Sequence, residues 1–126
     1  MIQTQSILKV SDNSGAKTAK CIKVLGGFKK KTARIGDTIV VSIQKLRNWS
    51  KDTSKVKKGD VYKAIIVRTK THLKRKDGCQ TKSFDNAITL LNKHNNPICT
   101  RIIGPISRQL KRKKFQKITN LSAGLF

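Results

Sequence analysis

Positively charged side chains are the groups in this sequence best suited to do chemistry, and they occur in four clusters. The clusters occupy residues 29–34, 47–58, 68–76 and 111–114. Lysine is a compact point charge that suits phosphate oxygens, whereas arginine presents a planar fork that suits bidentate contacts. The cations that we expect to bind a polyanion are Lys29, Lys30, Lys31, Arg34, Arg47, Lys51, Lys55, Lys57, Lys58, Arg68, Lys70, Lys74, Arg75, Lys76, Lys111 and Arg112.

The charge balance indicates what kind of polyanion this is. Lys and Arg together number 29 of the 126 residues, Asp and Glu number 6, and the formal net charge is +23. A folded chain with this charge repels itself, and a permanent polyanionic partner would relieve the repulsion. The chain has neither an apolar run of about 18 residues nor a long basic amphipathic helix, so we expect no membrane contact. Nucleic acid is therefore the expected partner.

Aromatic residues are too sparse to suggest a surface on which single-stranded bases stack. Phe, Trp and Tyr make up 5% of the chain and do not alternate along any one predicted strand. Stacking platforms use such rows of rings, and the reading of base edges favours Arg over the Lys that dominates here. These features favour folded, double-helical RNA that is bound by its shape.

Groups suited to catalysis or metal binding are scarce. Most of the carboxylates lie in predicted turns, where hydrogen bonds to nearby amides account for them. The two His residues are isolated, and neither a metal-ligand spacing nor a glycine-rich phosphate loop occurs. The three Cys form no CxxC pair and fit a reducing compartment, with Cys21 and Cys99 expected as small core residues. We therefore expect no enzyme activity, cofactor, metal or small-molecule substrate, and we assign a turn-stabilising role to Asp12, Asp37, Asp60 and Asp77.

The stretch that must position many of the cations is residues 56–78. It begins at a Gly-Asp turn, continues as the most strand-like segment of the chain, and ends at an Asp-Gly dipeptide that predicts a hairpin. Apolar and charged residues alternate at the end of the predicted strand. Successive side chains of a strand point to opposite faces, so we expect Arg68 and Lys70 on one face and Val67 and Thr69 on the other.

Short predicted strands recur along the whole chain. Two of them open with the same Gly-Asp pair, at residues 36–37 and 59–60, and are expected to be neighbours. Residues 98–103 are predicted as a last short strand. Ser107 is predicted to cap a C-terminal helical part at about residues 105–120, which Leu110, Phe115 and Ile118 could seat on the strands. This pattern predicts a mainly β chain that forms a small closed antiparallel β-barrel with a hairpin extension, as one domain over residues 1–126.

Blocks of sequence spread over the whole chain resemble the family of universal large-subunit ribosomal protein fourteen. They read MIQTQSILKVSDNSGAKTAKCIKVLGG, GDTIVVSIQK, VKKGDVYKAIIVRTK and TRIIGPISRQLKRKKFQKITNLSAG. The resemblance implies a five-stranded barrel with a small C-terminal helical part. It also implies a structural constituent of the large ribosomal subunit that binds large-subunit rRNA and helps to form bridges with small-subunit rRNA.

The resemblance further implies protein partners. Members of the family pack beside ribosomal proteins three and nineteen, and in bacteria and mitochondria they dock the ribosome-silencing factor. The matching positions for that docking surface are Thr100, Arg101 and Lys117. An alternative from the residues alone is a free-standing basic RNA- or DNA-binding barrel with a regulatory role, which would require the sequence-selective binding that this Lys-rich surface disfavours.

Three departures from the family pattern bear on where the protein works. The loop at residues 47–55 is longer than usual, and the end LSAGLF lacks the usual acidic residue. One residue is added before Phe84, and the family's Gly between Asp85 and Asn86 is missing, which bears on the strand register there. The absence of Glu and the preference for Lys over Arg suggest an organelle-encoded gene. We therefore expect a ribosome of the mitochondrial matrix, with the plastid stroma or the bacterial cytoplasm as alternatives.

Overall fold

Five of the strands in the computed structural model, which describes residues 1–47, 54–74 and 77–126, close into a barrel. None of the helices in these ranges is long and apolar enough to cross a membrane. In chain order the strands are β1 (Ile2–Gln3), β2 (Ile7–Val10), β3 (Ala16–Val24), β4 (Thr32–Ala33), β5 (Thr38–Leu46), β6 (Val61–Arg68), β7 (Leu73–Lys74), β8 (Gln80–Thr81) and β9 (Ala87–Leu91).

The barrel follows the order β2-β3-β5-β6-β9 and is mixed. Four pairings are antiparallel, but β9 returns to β2 in parallel, with Lys9 opposite Ala87 and Val10 opposite Ile88. The predicted closed five-stranded barrel is confirmed, and the expectation that every pairing is antiparallel is wrong at this seam. Strand directions cannot alternate all the way around a ring of five, so at least one neighbouring pair must run the same way.

Two buried clusters hold the fold together. One fills the barrel, where Ile39, Val41 and Ile43 point inward from β5 and alternate with half-buried residues. The other covers the outer faces of β6 and β9, where Ile65 and Leu91 lie against the C-terminal part of the chain. All five residues of β9 are buried because both of its faces are covered.

The C-terminal part is helical but irregular. Two 3₁₀ turns, Arg108–Leu110 and Lys113–Phe115, precede the short α-helix α1 (Gln116–Asn120). Ser107 caps the first turn as predicted, because its Oγ accepts a hydrogen bond from the Gln109 amide at 3.5 Å. The side chains expected to seat this part on the strands are buried as predicted: Leu110, Phe115 and Ile118.

Residues 98–103 do not form the predicted strand. Ile102 makes isolated bridges to Asp12 on one side and to Ser122 on the other. The segment is thus held between the start of the fold and the C-terminal part without joining the barrel. Its apolar residues predict a strand because burial between two irregular segments requires the same apolar pattern as burial within a sheet.

The Gly-Asp pairs begin strands as predicted. The Asp37 carboxylate accepts a hydrogen bond from the Arg34 amide at 2.8 Å, and the strand that follows is β5. The Asp60 carboxylate accepts one from the Lys57 amide at 3.2 Å, and the strand that follows is β6. These two strands are neighbours in the barrel, which confirms that expectation.

A buried carboxylate reinforces the parallel seam. Asp12 follows β2 and is fully buried, and it accepts hydrogen bonds from the Leu90 amide at 2.9 Å and the Ser14 amide at 3.0 Å. The Ser14 hydroxyl is also within hydrogen-bonding distance of this carboxylate. Ser11 adds two bonds from its amide and hydroxyl to the Ile88 carbonyl. Side chains therefore extend a seam whose ladder is only two residue pairs long.

Arg68 is buried, so the expectation that it shares an exposed face with Lys70 is wrong. Its side chain is 10% exposed and forms an ion pair with Asp85, with Nε 2.8 Å from Oδ1. Its Nη1 donates to the carbonyls of Ile103 at 3.1 Å and Pro105 at 3.0 Å. The guanidinium therefore joins the end of β6 to two segments of the chain.

The cause of this placement is an irregularity between β6 and β9. Their register shifts between Ile66 and Arg68, which breaks the two-residue alternation on which the expectation depended. Val67, Arg68 and Thr69 are consequently all buried, whereas Lys70 is exposed.

We predict that Asp12→Asn lowers the free energy of unfolding by about 2–3 kcal/mol, because an NH₂ group would replace one accepting oxygen and leave a buried amide unpaired. Urea unfolding measures this loss. The matched control is Asp77→Asn, since Asp77 is exposed and accepts from the Cys79 amide of its own turn, and it should change stability by less than about 0.5 kcal/mol. Equal losses in the two variants would show that Asp12 does not hold the seam.

We predict that Asp85→Asn lowers stability by about 1–2 kcal/mol at pH 7 and has little effect in acid. Burial alone would raise the pKa of the Asp85 carboxyl, but hydrogen bonds and charge from Arg68 and Lys9 hold it below its ordinary value of 3.8. A depressed pKa stabilises the fold above that ordinary value, and the contribution disappears as the pH falls through the folded-state pKa. Urea unfolding between pH 7 and pH 3 measures the difference, and a constant difference would contradict the prediction.

Candidate nucleic-acid interface

The directions of β5 and β6 sort the cationic clusters to opposite ends of the barrel. Loop 29–34 precedes β5, and residues 69–74 follow β6, which runs antiparallel to β5, so these two clusters share one end. Residues 47 and 54–58 lie between the end of β5 and the start of β6, at the other end. A nine-residue strand spans roughly 27 Å, so the two ends are too far apart for one phosphate to contact both.

We name the first of these surfaces the Arg34 end, defined by Lys29, Lys31, Arg34, Lys70 and Lys74. All five are exposed. Two clusters that are far apart in sequence meet here, because Arg34 and Lys74 line the same cavity of about 320 Å³. The pairing of β1 with β4 holds the N-terminal strand beside loop 29–34.

The N-terminal ammonium belongs to the Arg34 end as well, although the sequence analysis did not include it. Met1 lines the same cavity and is hydrogen-bonded through its ammonium to the Thr71 hydroxyl. Lys30, by contrast, is half-buried and pairs with Asp37 at 2.9 Å, so its charge is partly offset. The position of Met1 could not be predicted from the sequence, because it depends on the pairing of β1 with β4.

We name the second surface the Lys55 end, defined by Arg47, Lys55, Lys57 and Lys58. The three lysines are exposed, and Arg47 is half-buried with Nη2 3.3 Å from the Val10 carbonyl. The Lys55 amide donates to the Ser14 carbonyl, and Lys55 Nζ lies 3.4 Å from the Ile98 carbonyl. This end is therefore attached to the turn that follows β2.

The third surface is the C-terminal basic loop, residues 111–114, in which all four side chains are exposed. Buried Leu110 precedes it and buried Phe115 follows it, so the cations are anchored on both sides. Lys114 Nζ also lies 5.6 Å from the centroid of the Phe115 ring. Of the other predicted binding residues, Arg68 is buried and paired with Asp85, whereas Lys51, Arg75 and Lys76 lie outside the described part of the chain.

The three residues carried over as a protein-docking surface are exposed and lie on adjacent segments. Asn13 holds the first segment, since its Oδ1 accepts from the Thr100 amide at 3.0 Å and its Nδ2 donates to the Thr100 hydroxyl at 2.7 Å. Arg101 follows directly, and the amide of the next residue, Ile102, donates to a carbonyl just after α1. Lys117 lies in α1. The role of Asn13 is not evident from the sequence, because the residue lies in a run of turn formers and its partner Thr100 is distant in the chain.

The carboxylates of the described residues form hydrogen bonds and ion pairs within the protein. The carboxylates of Asp12, Asp37, Asp60 and Asp77 each accept a hydrogen bond from a backbone amide of a turn or a strand. The ion pairs within this part of the chain involve Lys9, Lys30 and Arg68. Among the described residues, none of these ion pairs involves an exposed lysine of the three cationic surfaces, so their charges are available to an external anion.

The outer face of the barrel also carries Lys20, which lies outside the four predicted cationic clusters. The strand register aligns Ile7, Lys20, Ser42 and Val61 in one row across β2, β3, β5 and β6. Ile7 is 68% exposed and Val61 is 59% exposed. This face therefore mixes apolar and cationic side chains, unlike the three cationic surfaces.

Groups suited to other chemistry are buried or dispersed. Burial raises the pKa of the Cys21 thiol, and burial together with the Asp12 charge raises the pKa of Cys99 to about 11. Both thiols are therefore protonated at neutral pH, as expected for core residues. Within the described residues, no three His, Cys, Asp or Glu side chains come together as a metal site would require.

Comparison with known protein families gives a match that extends over all 126 residues. The family model described as "Ribosomal protein L14p/L23e" matches residues 1–126, which covers the barrel, its hairpin and the C-terminal helical part. A match over the full length, on a chain whose exposed surface is cationic at both ends of a closed barrel, identifies the family. The chain belongs to the ribosomal protein L14p/L23e family and is a structural protein of the large ribosomal subunit.

Proposed function

We propose that the chain binds large-subunit rRNA through its three cationic surfaces, each contacting a different part of the folded RNA. The observation that carries the proposal is the separation of charges in the fold: carboxylates accept internal hydrogen bonds, and lysines cover both barrel ends. Because a nine-residue strand spans roughly 27 Å along its length, the barrel would act as a rigid spacer between two RNA segments.

Binding would act mainly on the phosphate backbone. Lysines dominate the exposed cations, and a lysine ammonium contacts phosphate oxygens without selecting a base. Each neutralised phosphate releases counterions, so association would weaken steeply as salt rises. Family membership favours this role over that of a free-standing regulator, which would require selective reading of base edges.

We further propose, on the strength of the family match, that the chain helps to form bridges with small-subunit rRNA and packs beside ribosomal proteins three and nineteen. The silencing factor would dock on Thr100, Arg101 and Lys117, which are exposed.

Residues 1–126 would act as one domain, since the C-terminal part covers two barrel strands. The composition supports a ribosome in the mitochondrial matrix, with plastid and bacterial ribosomes as alternatives.

We predict that replacing Lys29, Lys31 and Lys70 by Gln releases the protein from large subunits at lower salt. Removing three phosphate contacts should reduce the slope of log affinity against log salt concentration by about 2–3. Sedimentation of large subunits that carry the tagged protein, after washes of increasing KCl concentration, measures the release.

The matched control replaces Lys17, Lys23 and Lys45 by Gln. These exposed lysines lie on β3 and β5, outside the three cationic surfaces, and their removal changes the net charge equally. If the control variant dissociates as easily as the Arg34-end variant, binding depends on total charge and the assignment of the Arg34 end is wrong. If the unaltered protein does not sediment with large subunits at all, the proposed function fails.

We predict that Asn13→Ala weakens docking of the silencing factor about as much as Arg101→Ala, because Asn13 positions the segment that presents Thr100 and Arg101. Loss of two or three hydrogen bonds should lower affinity about tenfold. Pull-down of purified silencing factor on salt-washed large subunits measures this. Lys93→Ala, an exposed cation outside the docking surface, is the control. Unchanged docking in Asn13→Ala would contradict the positioning role.

A further inference from the structure

A cleft of about 720 Å³ lies where the barrel meets the C-terminal helical part. One side comes from the turn at residues 36–38 and from Lys63 and Ile65 of β6. Further lining comes from residues 113–118 and from the turn at 95–97. The volume falls in the range of about 300–1,000 Å³ that is typical of sites for small organic ligands.

Five lysines from three segments converge on this cleft: Lys30, Lys63, Lys113, Lys114 and Lys117. Asp37 is the acidic residue that lines it, and Asp37 is already paired with Lys30 at 2.9 Å. Lys117 Nζ donates to Asn96 Oδ1 at 2.8 Å, a neutral partner that leaves the charge in place. Positive charge on several sides of a concave surface focuses the electrostatic field, so the cleft would attract an anion.

The lining between the lysines includes both apolar side chains and side-chain amides. Ile65, Leu91, Pro97 and Phe115 contribute apolar lining. Side-chain amides form a second group, and an amide carries both hydrogen-bond donors and an acceptor, of which the Asn96 acceptor is already bonded to Lys117. These amides are Asn95, Asn96, Gln116 and Asn120.

This combination distinguishes between two kinds of anion. The carboxylate side chains of an acidic peptide are acceptors only, and the lysines supply the donors for them without the side-chain amides. A nucleotide carries a phosphate, a flat apolar face and an edge with alternating donors and acceptors, and so it can use the lysines, the apolar lining and the amides together. The lining therefore favours a nucleotide over an acidic peptide.

We infer that the cleft holds one nucleotide of the bound rRNA, turned out of its helix, with its phosphate on the lysines and its base between the apolar lining and the amides. This inference rests on the proposed rRNA binding and adds a single recognised nucleotide to contacts that otherwise read only shape. A base that is already unpaired is extruded at least cost, so the expected target is a bulge in an RNA helix.

The test uses the full chain and two RNA hairpins of equal length, one fully paired and one with a single bulged nucleotide, tried in turn as each of the four bases. We expect the best bulged hairpin to bind about tenfold more tightly than the paired one. Replacing Lys63 and Lys114 by Gln should bring this ratio close to one. The control replaces Lys17 and Lys45, exposed lysines outside the cleft, and should keep the ratio even if both affinities fall.

A second variant removes the amides without changing the charge. Gln116→Leu with Asn120→Leu alters two exposed side chains of α1, and it should lower the ratio while the affinity for the paired hairpin stays unchanged. Circular dichroism confirms that each variant is folded before its ratio is used.

The outcomes separate this inference from the proposed function. If the unaltered chain binds paired and bulged hairpins equally, the cleft does not hold a nucleotide, but RNA binding stands. If it binds neither hairpin, the proposed function fails and the inference fails with it. If a Glu-rich peptide binds the chain and the Lys63 and Lys114 replacements abolish that binding while the hairpin ratio stays near one, the cleft is a protein-docking site and the inference is wrong.

Discussion

Closure of a ring with an odd number of strands is the constraint on which the rest of this structure depends. One pair must be parallel, and here that pair is β2–β9, with only two residue pairs in its ladder. Asp12 and Ser11 supply further hydrogen bonds along the same seam. Within the closed ring β5 and β6 pair antiparallel, and their directions place residues 29–34 and residues 54–58 at opposite ends of the barrel.

The small number of acidic residues determines how charge is distributed in this structure. A chain with six acidic residues and 29 basic ones has few carboxylates available to neutralise its surface. The described carboxylates instead stabilise turns and strand ends, where a backbone amide gains a strong acceptor. Arg68 is the counterpart among the cations, since it lies inside the fold and satisfies Asp85 and two carbonyls. The charges that stabilise the fold and the exposed charges of the three cationic surfaces are thus largely different residues.

The sequence was sufficient wherever structure is determined locally. The Gly-Asp pairs predicted the starts of β5 and β6, and Ser107 predicted the first turn of the helical part, because each depends on hydrogen bonds within a few residues. It was insufficient where tertiary contacts decide. The register shift that buries Arg68 needs β9 as a partner, and the cleft combines residues from five separated segments. Most of the barrel was therefore predictable, and much less of the interface geometry.

The outer barrel face with Ile7, Ile22 and Val61 has a consequence for the newly made protein. Exposed aliphatic side chains on neighbouring strands favour self-association, and in this chain the long-range repulsion between molecules of charge +23 opposes it. The free chain therefore stays in solution only at low salt concentration, or when it is incorporated promptly into a nascent ribosomal particle. Concentrated salt shortens the range of the repulsion, so the unassembled chain should precipitate under conditions in which ordinary globular proteins remain dissolved.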